Sequence, residues 1–263
     1  MGETDIRQRA EDLLRGPFRA SILEPFGEAV RRYGLIAPGD AVAVCISGGK
    51  DSMLLAKLMQ MYRPESPVPF TLRFLIMDPG YNAENRRRVE ENARALGIPY
   101  DLFETDIFNV ANRQVKNPCF LCARMRRGHL YSRARALGCS KIALGHHFDD
   151  VIETTLLAML WGGQLQAMPP MLRAANFEGM SLIRPLYLVR EADIEAWRDA
   201  CGLRFIRCAC RFTEGTETGE HASKRKEAKE LLRRLDAEAP GTSQKLFESL
   251  HHLRTETFPK TAE

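Results

Sequence analysis

The sequence predicts an α/β fold: a doubly wound, mostly parallel sheet with helical additions at the N- and C-termini. Three observations carry this reading. The run Ala41-Val42-Ala43-Val44-Cys45-Ile46 is almost wholly apolar, as a strand buried on both faces of a parallel sheet must be. A glycine-rich turn, Ser47-Gly48-Gly49, comes next and leads into a helical pattern. Strand-like and helix-like stretches then alternate to residue 210, the order of repeated strand–helix units.

Residues 4–33 predict a helix on the loose apolar stripe Ile6, Leu13, Leu14, Ile22, Phe26 and Val30, divided by Pro17 and Pro25. After the strand at 41–46 come a helix at 53–61 and a second strand at 71–77. A helix at 84–96 is ended by Gly97, because glycine alone closes a helix in the left-handed conformation without strain. A third strand is expected at 100–104, a basic helix at 123–137 ended by Gly138, a fourth strand at 141–144 and a helix at 149–160. Residues 182–185 read as extended, 191–201 as a helix and 203–207 as a last strand. Beyond 210 the character changes: 213–220 reads as a loop, 221–235 as a strongly basic helix, and Pro240-Gly241 separates it from a helix near 243–253. Three segments result: an N-terminal helical segment at 1–37, the α/β domain at 38–210 and a basic helical tail at 211–263.

Composition narrows the class. No apolar run reaches the length of a membrane span, and residues 1–15 are charged without an apolar signal core, so no membrane association and a cytoplasmic location are expected. The net charge is only +4, but the positive residues cluster at Arg86–Arg88, at Arg124, Arg126 and Arg127, at Arg133 and Arg135, and from Lys224 to Arg234. Such clusters suit either a polyanion such as nucleic acid or solvated helix faces. Seven cysteines, an odd number in a large chain, argue against a disulfide framework and for metal or redox chemistry at the close pairs.

Ser47-Gly48-Gly49-Lys50-Asp51-Ser52 sits where a buried strand turns into a helix. Glycines there let backbone N–H groups approach phosphate oxygens, and the helix N-terminus adds partial positive charge. Ser47 and Ser52 offer hydroxyl donors, and Lys50 offers a countercharge. Asp51 would repel phosphates unless a cation lies between them, which implies Mg²⁺. The spacing is not that of a Walker A loop. The segment from Val42 to Ser52 resembles the Ser-Gly-Gly-x-Asp-Ser signature of the N-type ATP pyrophosphatases, the PP-loop enzymes of the adenine nucleotide alpha hydrolase-like fold. The resemblance implies ATP cleavage between the α and β phosphates: a substrate oxygen is adenylated, pyrophosphate leaves and a nucleophile displaces AMP.

Cys119 and Cys122 stand at i and i+3 where a helix begins, a spacing that lets two thiolates hold one metal centre. Cys208 and Cys210 end the expected last strand, and strand C-terminal ends gather on the ligand-binding edge of a doubly wound sheet. Three or four thiolates would then be available, and either zinc or an iron–sulfur cluster suits them. Cys45, Cys139 and Cys201 read as structural. Gly145-His146-His147-Phe148-Asp149-Asp150 comes after the fourth strand and opens a helix. Asp149 or Asp150 is a candidate to complete Mg²⁺ coordination with Asp51 or to orient a base, and His146 to contact phosphate or the activated oxygen. Asp78 either reaches the adenine or ribose or begins a turn with Pro79-Gly80.

Pro118–Gly128, Lys141–Asp150, Met168-Pro169-Pro170 and Ile183-Arg184-Pro185-Leu186 resemble the tRNA 2-thiocytidine synthetase family over roughly residues 25–210. That resemblance implies a 4Fe–4S cluster on three cysteines with one iron open: Cys119, Cys122 and either Cys210, by likeness to the second cysteine of the family's pair, or Cys208. This chain departs from the family there, with one residue between Cys208 and Cys210 and then Arg-Phe-Thr-Glu. The resemblance implies an ATP-dependent tRNA sulfurtransferase acting on a pyrimidine carbonyl, cytidine C2 first. Sulfur would come from a cysteine desulfurase or sulfide, the basic helices would hold tRNA, and the chain would be a homodimer. Two alternatives use the same residues: a PP-loop ligase or amidase with structural zinc, and a non-catalytic nucleotide-binding iron–sulfur sensor.

Overall fold

The computed structural model describes residues 3–113, 118–206 and 220–257, with side chains described over 6–111, 113, 121–206 and 224–257. Cys208 and Cys210 lie outside the described residues, as does the side chain of Cys119. The chain forms two compact units, Met1–His147 with Pro170–Thr216, and Phe148–Pro169 with Glu217–Glu263.

The first unit holds α1 (Glu3–Arg15), a short π-helical turn (Arg19–Leu23), α2 (Glu24–Arg32), β1 (Ala41–Ile46), α3 (Lys50–Glu65), β2 (Thr71–Asp78), α4 (Ala83–Ala95), β3 (Asp101–Glu104), α5 (Ile107–Asn112), α6 (Pro118–Ala136) and β4 (Lys141–Ala143). The second unit opens with α7 (Phe148–Leu160); β5 (Met171–Arg173), β6 (Ser181–Ile183) and α8 (Glu191–Cys201) then return to the first. The strand order is β3-β2-β1-β4-β6-β5, parallel throughout except for β5, which runs antiparallel to β6. β1 sits at the reversal of strand order, with β2 on one side and β4 on the other.

Alternation along β1 explains its composition. Val42, Val44 and Ile46 enter one core with Met53, Leu54, Leu58 and Trp197, while Ala43 and Cys45 enter the other with Tyr131, Ala134 and Ile142. Both faces are covered, so every position must be apolar. A fully buried ammonium, Lys57, ties three helices together. Its Nζ donates to Glu11 Oε1 at 2.5 Å, Gln60 Oε1 at 3.0 Å and the Leu96 carbonyl at 2.9 Å. Burial pushes its pKa below the ordinary lysine value, against the pull of Glu11.

Several expectations change. The helix expected at 53–61 starts at Lys50 and runs to Glu65, and the basic helix starts at Pro118, so it includes Cys119 and Cys122. α5 and the edge strand β5 were not expected. The strand expected at 203–207 is absent over 203–206: the Arg204 carbonyl accepts from Asn92 Nδ2 at 2.9 Å rather than from a neighbouring strand. Arg207 lies outside the described residues.

The second unit packs α7 with α9 (Glu220–Glu238) and α10 (Thr242–Ser249). Phe148 stacks on Phe247 with centroids 4.4 Å apart, and Ala228 and Leu232 are buried. Asp236 accepts from Ser243 N at 2.8 Å and from Ser243 Oγ at 2.5 Å, holding α10 to α9 across the Gly241 turn. Among the described residues no helix is long and apolar enough to cross a membrane.

Candidate active site

The sheet places its chemistry by topology. Where strand order reverses, the loops leaving two neighbouring parallel strands diverge and open a crevice at their carboxyl ends. Here those strands are β1 and β4, in register from Val42–Lys141 to Val44–Ala143. Their C-terminal loops are Ser47–Gly49 and Leu144–His147.

The first loop is held by its own atoms. Ser52 Oγ is buried, donates to the Gly49 carbonyl at 2.9 Å and accepts from Ser47 N at 3.1 Å, while Ser47 Oγ lies 3.2 Å from it. Ser52 therefore shapes the loop, and Ser47 is the exposed hydroxyl. Gly48 has φ +85°, and a Cβ there would sit 2.5 Å from Val89 Cγ2 and 2.7 Å from Ile206 Cδ1, so no other residue fits. Gly145 is needed for space: its Cβ would come within 3.0 Å of the Asp51 carbonyl carbon and Ser52 N. The β4 loop thus lies directly against the first turn of α3. No side chain caps that turn, which leaves the helix start open to an anion.

Lys50 Nζ lies 3.1 Å from Asp51 Oδ1 and 3.2 Å from Glu191 Oε1 of α8. Burial works against its charge, but the two carboxylates prevail and raise its pKa above the ordinary value. Lys50 is therefore an ammonium at any physiological pH. Buried His147 brings Nε2 to 3.9 Å from the same Asp51 oxygen. Sequence reasoning named His146, which is half-buried here, and passed over both His147 and Glu191. The tandem histidines were a visible signal, whereas Glu191, 141 residues from Lys50, had none.

Asp78 takes the turn reading. It is buried, and its Oδ1 accepts from Gly80 N at 2.8 Å and Tyr81 N at 2.6 Å while Oδ2 faces Arg86 at 3.6 Å. Its carboxylate is thus committed to its own loop and to α4. Tyr81 then donates its hydroxyl to the Ser47 carbonyl at 2.9 Å, so Asp78 supports the phosphate loop through Tyr81. In the second unit Asp150 pairs with Arg225 at 3.3 Å and Glu153 with the same guanidinium at 3.8 Å; Asp149, beside them, is half-buried.

A cleft of about 630 Å³ opens beside the loop, lined by Lys50, Asp51, Arg88, Glu195, Arg198 and Ile206 among others. A larger one of about 730 Å³ lies toward the opposite edge, at Leu72–Phe74 and Tyr100-Asp101, away from every loop residue described above. The residues fit ATP and Mg²⁺. The start of α3 carries no side-chain cap, Lys50 is charged, and buried Asp51 Oδ1 accepts no well-formed hydrogen bond.

The cysteines divide. Burial pushes Cys45 and Cys201 up to about 12 and raises Cys139, which keeps these thiols protonated and inert. Cys119 and Cys122 start α6, whose far end feeds β4. α6 leads from the C-terminal end of β3, by way of α5, back to the start of β4, so its first turn lies toward the strands' C-terminal edge. Two soft sulfur donors at i and i+3 suit an iron–sulfur centre. Among the described residues no three potential ligands are gathered.

Residues 21–210 match the PP-loop domain family. The chain is 38% identical over 235 residues to the tRNA-cytidine(32) 2-sulfurtransferase of Anaeromyxobacter dehalogenans (strain 2CP-C), covering 88% of this chain and 79% of the relative. It is 37% identical over 261 residues to the protein of the same name from Xanthomonas campestris pv. campestris (strain B100), covering 96% and 83%. Among solved structures, the U34-tRNA thiolase NcsA from Methanococcus maripaludis with its 4Fe–4S cluster shares the fold, with a TM-score of 0.68 at 20% identity over 91% of this chain and 80% of that chain. The switch-point loop with its glycines, the charged lysine above it and the extent of these matches lead to one assignment: the chain belongs to the PP-loop family, with the tRNA-cytidine(32) 2-sulfurtransferases as its relatives.

Proposed function

We propose that the chain is an ATP-dependent tRNA sulfurtransferase that replaces the C2 oxygen of a cytidine by sulfur, at position 32 by likeness to the relatives' names. The observation that carries this is the meeting of the Ser47–Ser52 loop with the Gly145–His147 loop at the switch point, on the sheet edge toward which α6 directs Cys119 and Cys122.

The chain's groups take these roles. The Gly48 and Gly49 backbone, the start of α3 and Ser47 hold the ATP phosphates. The cytidine carbonyl oxygen attacks the α-phosphorus, and the bond to the β-phosphate oxygen breaks. Lys50, kept charged by Asp51 and Glu191, offsets the charge that gathers on the leaving pyrophosphate. Asp51 would hold Mg²⁺, which when bound shields the phosphates from this carboxylate. His147 orients Asp51, and His146 and Asp149 are assigned to the activated oxygen and to Mg²⁺. A sulfur nucleophile then attacks C2, and AMP leaves with the former carbonyl oxygen. A 4Fe–4S cluster, when bound by Cys119, Cys122 and Cys210 or Cys208, supplies an open iron for sulfur delivery. Sulfide or a cysteine desulfurase is the donor, the active form is a homodimer, and the location is the cytoplasm.

The test is reconstitution. Anaerobically purified, brown protein with ATP, sulfide and tRNA should yield 2-thiocytidine, detected by nucleoside mass spectrometry, with AMP and pyrophosphate formed in step. Colourless protein with stoichiometric zinc and no thiolated nucleoside would return the chain to the ligase reading.

A further inference from the structure

The two tryptophans have opposite environments. Trp197 is fully buried, and its Nε1 donates to the Ala10 carbonyl at 3.5 Å. Trp161, just past the end of α7, is 42% exposed, next to Leu160 at 54%. Two large apolar side chains left part-exposed side by side at a helix end, lining a cleft, suit a partner. The second unit also supplies the other wall. Leu160 and Trp161 form one side of a cleft of about 560 Å³, and α9 forms the other with Lys226, Glu230, Leu231 and Arg234.

The spacing of that wall is regular. Lys226, Glu230 and Arg234 stand at i, i+4 and i+8, one stripe along a helix face. The buried stripe of Ala228 and Leu232 is a different one and packs inward. Glu227, also in the wall, is engaged with Lys224 at 3.0 Å, and Lys224 in turn lies over the Trp161 ring, 5.3 Å from its centroid. An indole thus has one cation, Lys224, over its face and two further cations, Lys226 and Arg234, along the opposite wall; of the wall's two carboxylates Glu227 is paired with Lys224, and Glu230 stands between the two wall cations. That pattern suits one ligand chemistry: an unstacked nucleobase on the indole, its flanking phosphates against Lys226 and Arg234, and an exocyclic amino group toward Glu230.

We propose that this cleft is a stacking site for an unpaired base of the RNA substrate. The proposal deepens the reading of tRNA as substrate and rests on it. It gives α9 a specific task in place of general charge attraction.

The test uses the full chain and unmodified tRNA transcript. Trp197 is buried, so acrylamide quenching of tryptophan fluorescence reports Trp161, and tRNA should shield it. Trp161→Ala should weaken tRNA binding about tenfold or more, the usual loss for one stacked base, without changing the salt slope, because no phosphate contact is removed. Trp161→Phe should restore most of the affinity. Lys226→Gln with Arg234→Gln should do the converse and flatten the slope by about 0.7 per contact. Wild-type affinity in Trp161→Ala overturns the proposal, as does a change of oligomeric state in that variant with RNA binding intact, which would make the cleft an interface between copies. If the wild-type chain binds no tRNA, the substrate reading itself falls, a different result from an indifferent Trp161→Ala.

Discussion

Two arginine-rich helices read alike in the sequence and differ in the fold. On α4, Arg86 meets Glu90 at 3.2 Å, Asp78 at 3.6 Å and Glu104; Arg87 meets Glu91 at 3.7 Å and Arg88 meets Glu84 at 3.3 Å. Each guanidinium is already answered by a carboxylate, mostly one turn away. On α6, Arg124, Arg126, Arg127 and Arg135 make no ion pair among the described residues, and Arg124, Arg127 and Arg135 are exposed. The positive potential of α6 is therefore available to a polyanion, and that of α4 is largely cancelled. The same division runs through the molecule: Lys50, Lys57 and Arg225 are clamped cations that hold the protein's own parts, while Arg124, Arg127 and Arg135 of α6 and Lys226 and Arg234 of α9 are exposed. Charge density along a chain does not identify a binding surface; the supply of counter-charges does.

This division can be broken experimentally, beginning with the clamped groups. Asp51→Ala removes a partner of Lys50 and the candidate Mg²⁺ ligand, and thiolation should fall by about a hundred- to a thousandfold. The iron content should stay unchanged, because the loop supplies no thiolate; near-normal turnover would detach Asp51 from the chemistry. Lys57→Ala leaves Glu11 without its buried partner and should lower stability by about 3 kcal/mol in urea unfolding.

The outward charges should behave differently. Replacing Arg124, Arg126 and Arg127 by Gln should weaken tRNA binding and flatten its salt dependence by about 0.7 to 0.9 per lost contact, with little change in stability. The matched replacement of Arg86, Arg87 and Arg88 should leave that slope alone. Equal slopes for the two triple variants would erase the distinction between α4 and α6. Within α9 the contrast occurs between neighbours. Arg225→Gln releases Asp150 and Glu153 and should reduce stability by about 1 kcal/mol, whereas Lys226→Gln should not. The smallest effect belongs to Arg87→Gln, an exposed pair at 3.7 Å, which should change stability by no more than about 0.5 kcal/mol and leave RNA binding unaffected.

Much of the site was legible because its signals are local. The apolar run of β1, the glycine turn and the start of α3 adjoin one another in the chain, and the packing of Val42, Val44 and Ile46 on one face with Ala43 and Cys45 on the other results from strand pleating alone. Cys119 and Cys122 were recognisable by their spacing, and the buried, protonated thiols of Cys45, Cys139 and Cys201 match their apolar neighbourhoods. The PP-loop resemblance rested on the same contiguous residues.

Decisions between distant segments were not legible in this way. Residues 203–206 stay outside the sheet, the Arg204 carbonyl accepting from Asn92 Nδ2, and β5 pairs antiparallel with β6; both are contacts between segments distant or irregular in the chain. Asp78 had two equal uses until the Gly80 and Tyr81 amides claimed one of its oxygens. The partners of Lys50 and Lys57 lie 141 and 46 residues away. The sequence by itself determined the fold class and singled out the Ser47–Ser52 loop and the cysteine pair as candidates, because backbone sterics and side-chain periodicity act over a few residues. Only the tertiary structure decided which charges are clamped and which are open, because a hydrogen bond or ion pair forms only within a few ångströms, and folding alone brings residues far apart in the chain to that distance.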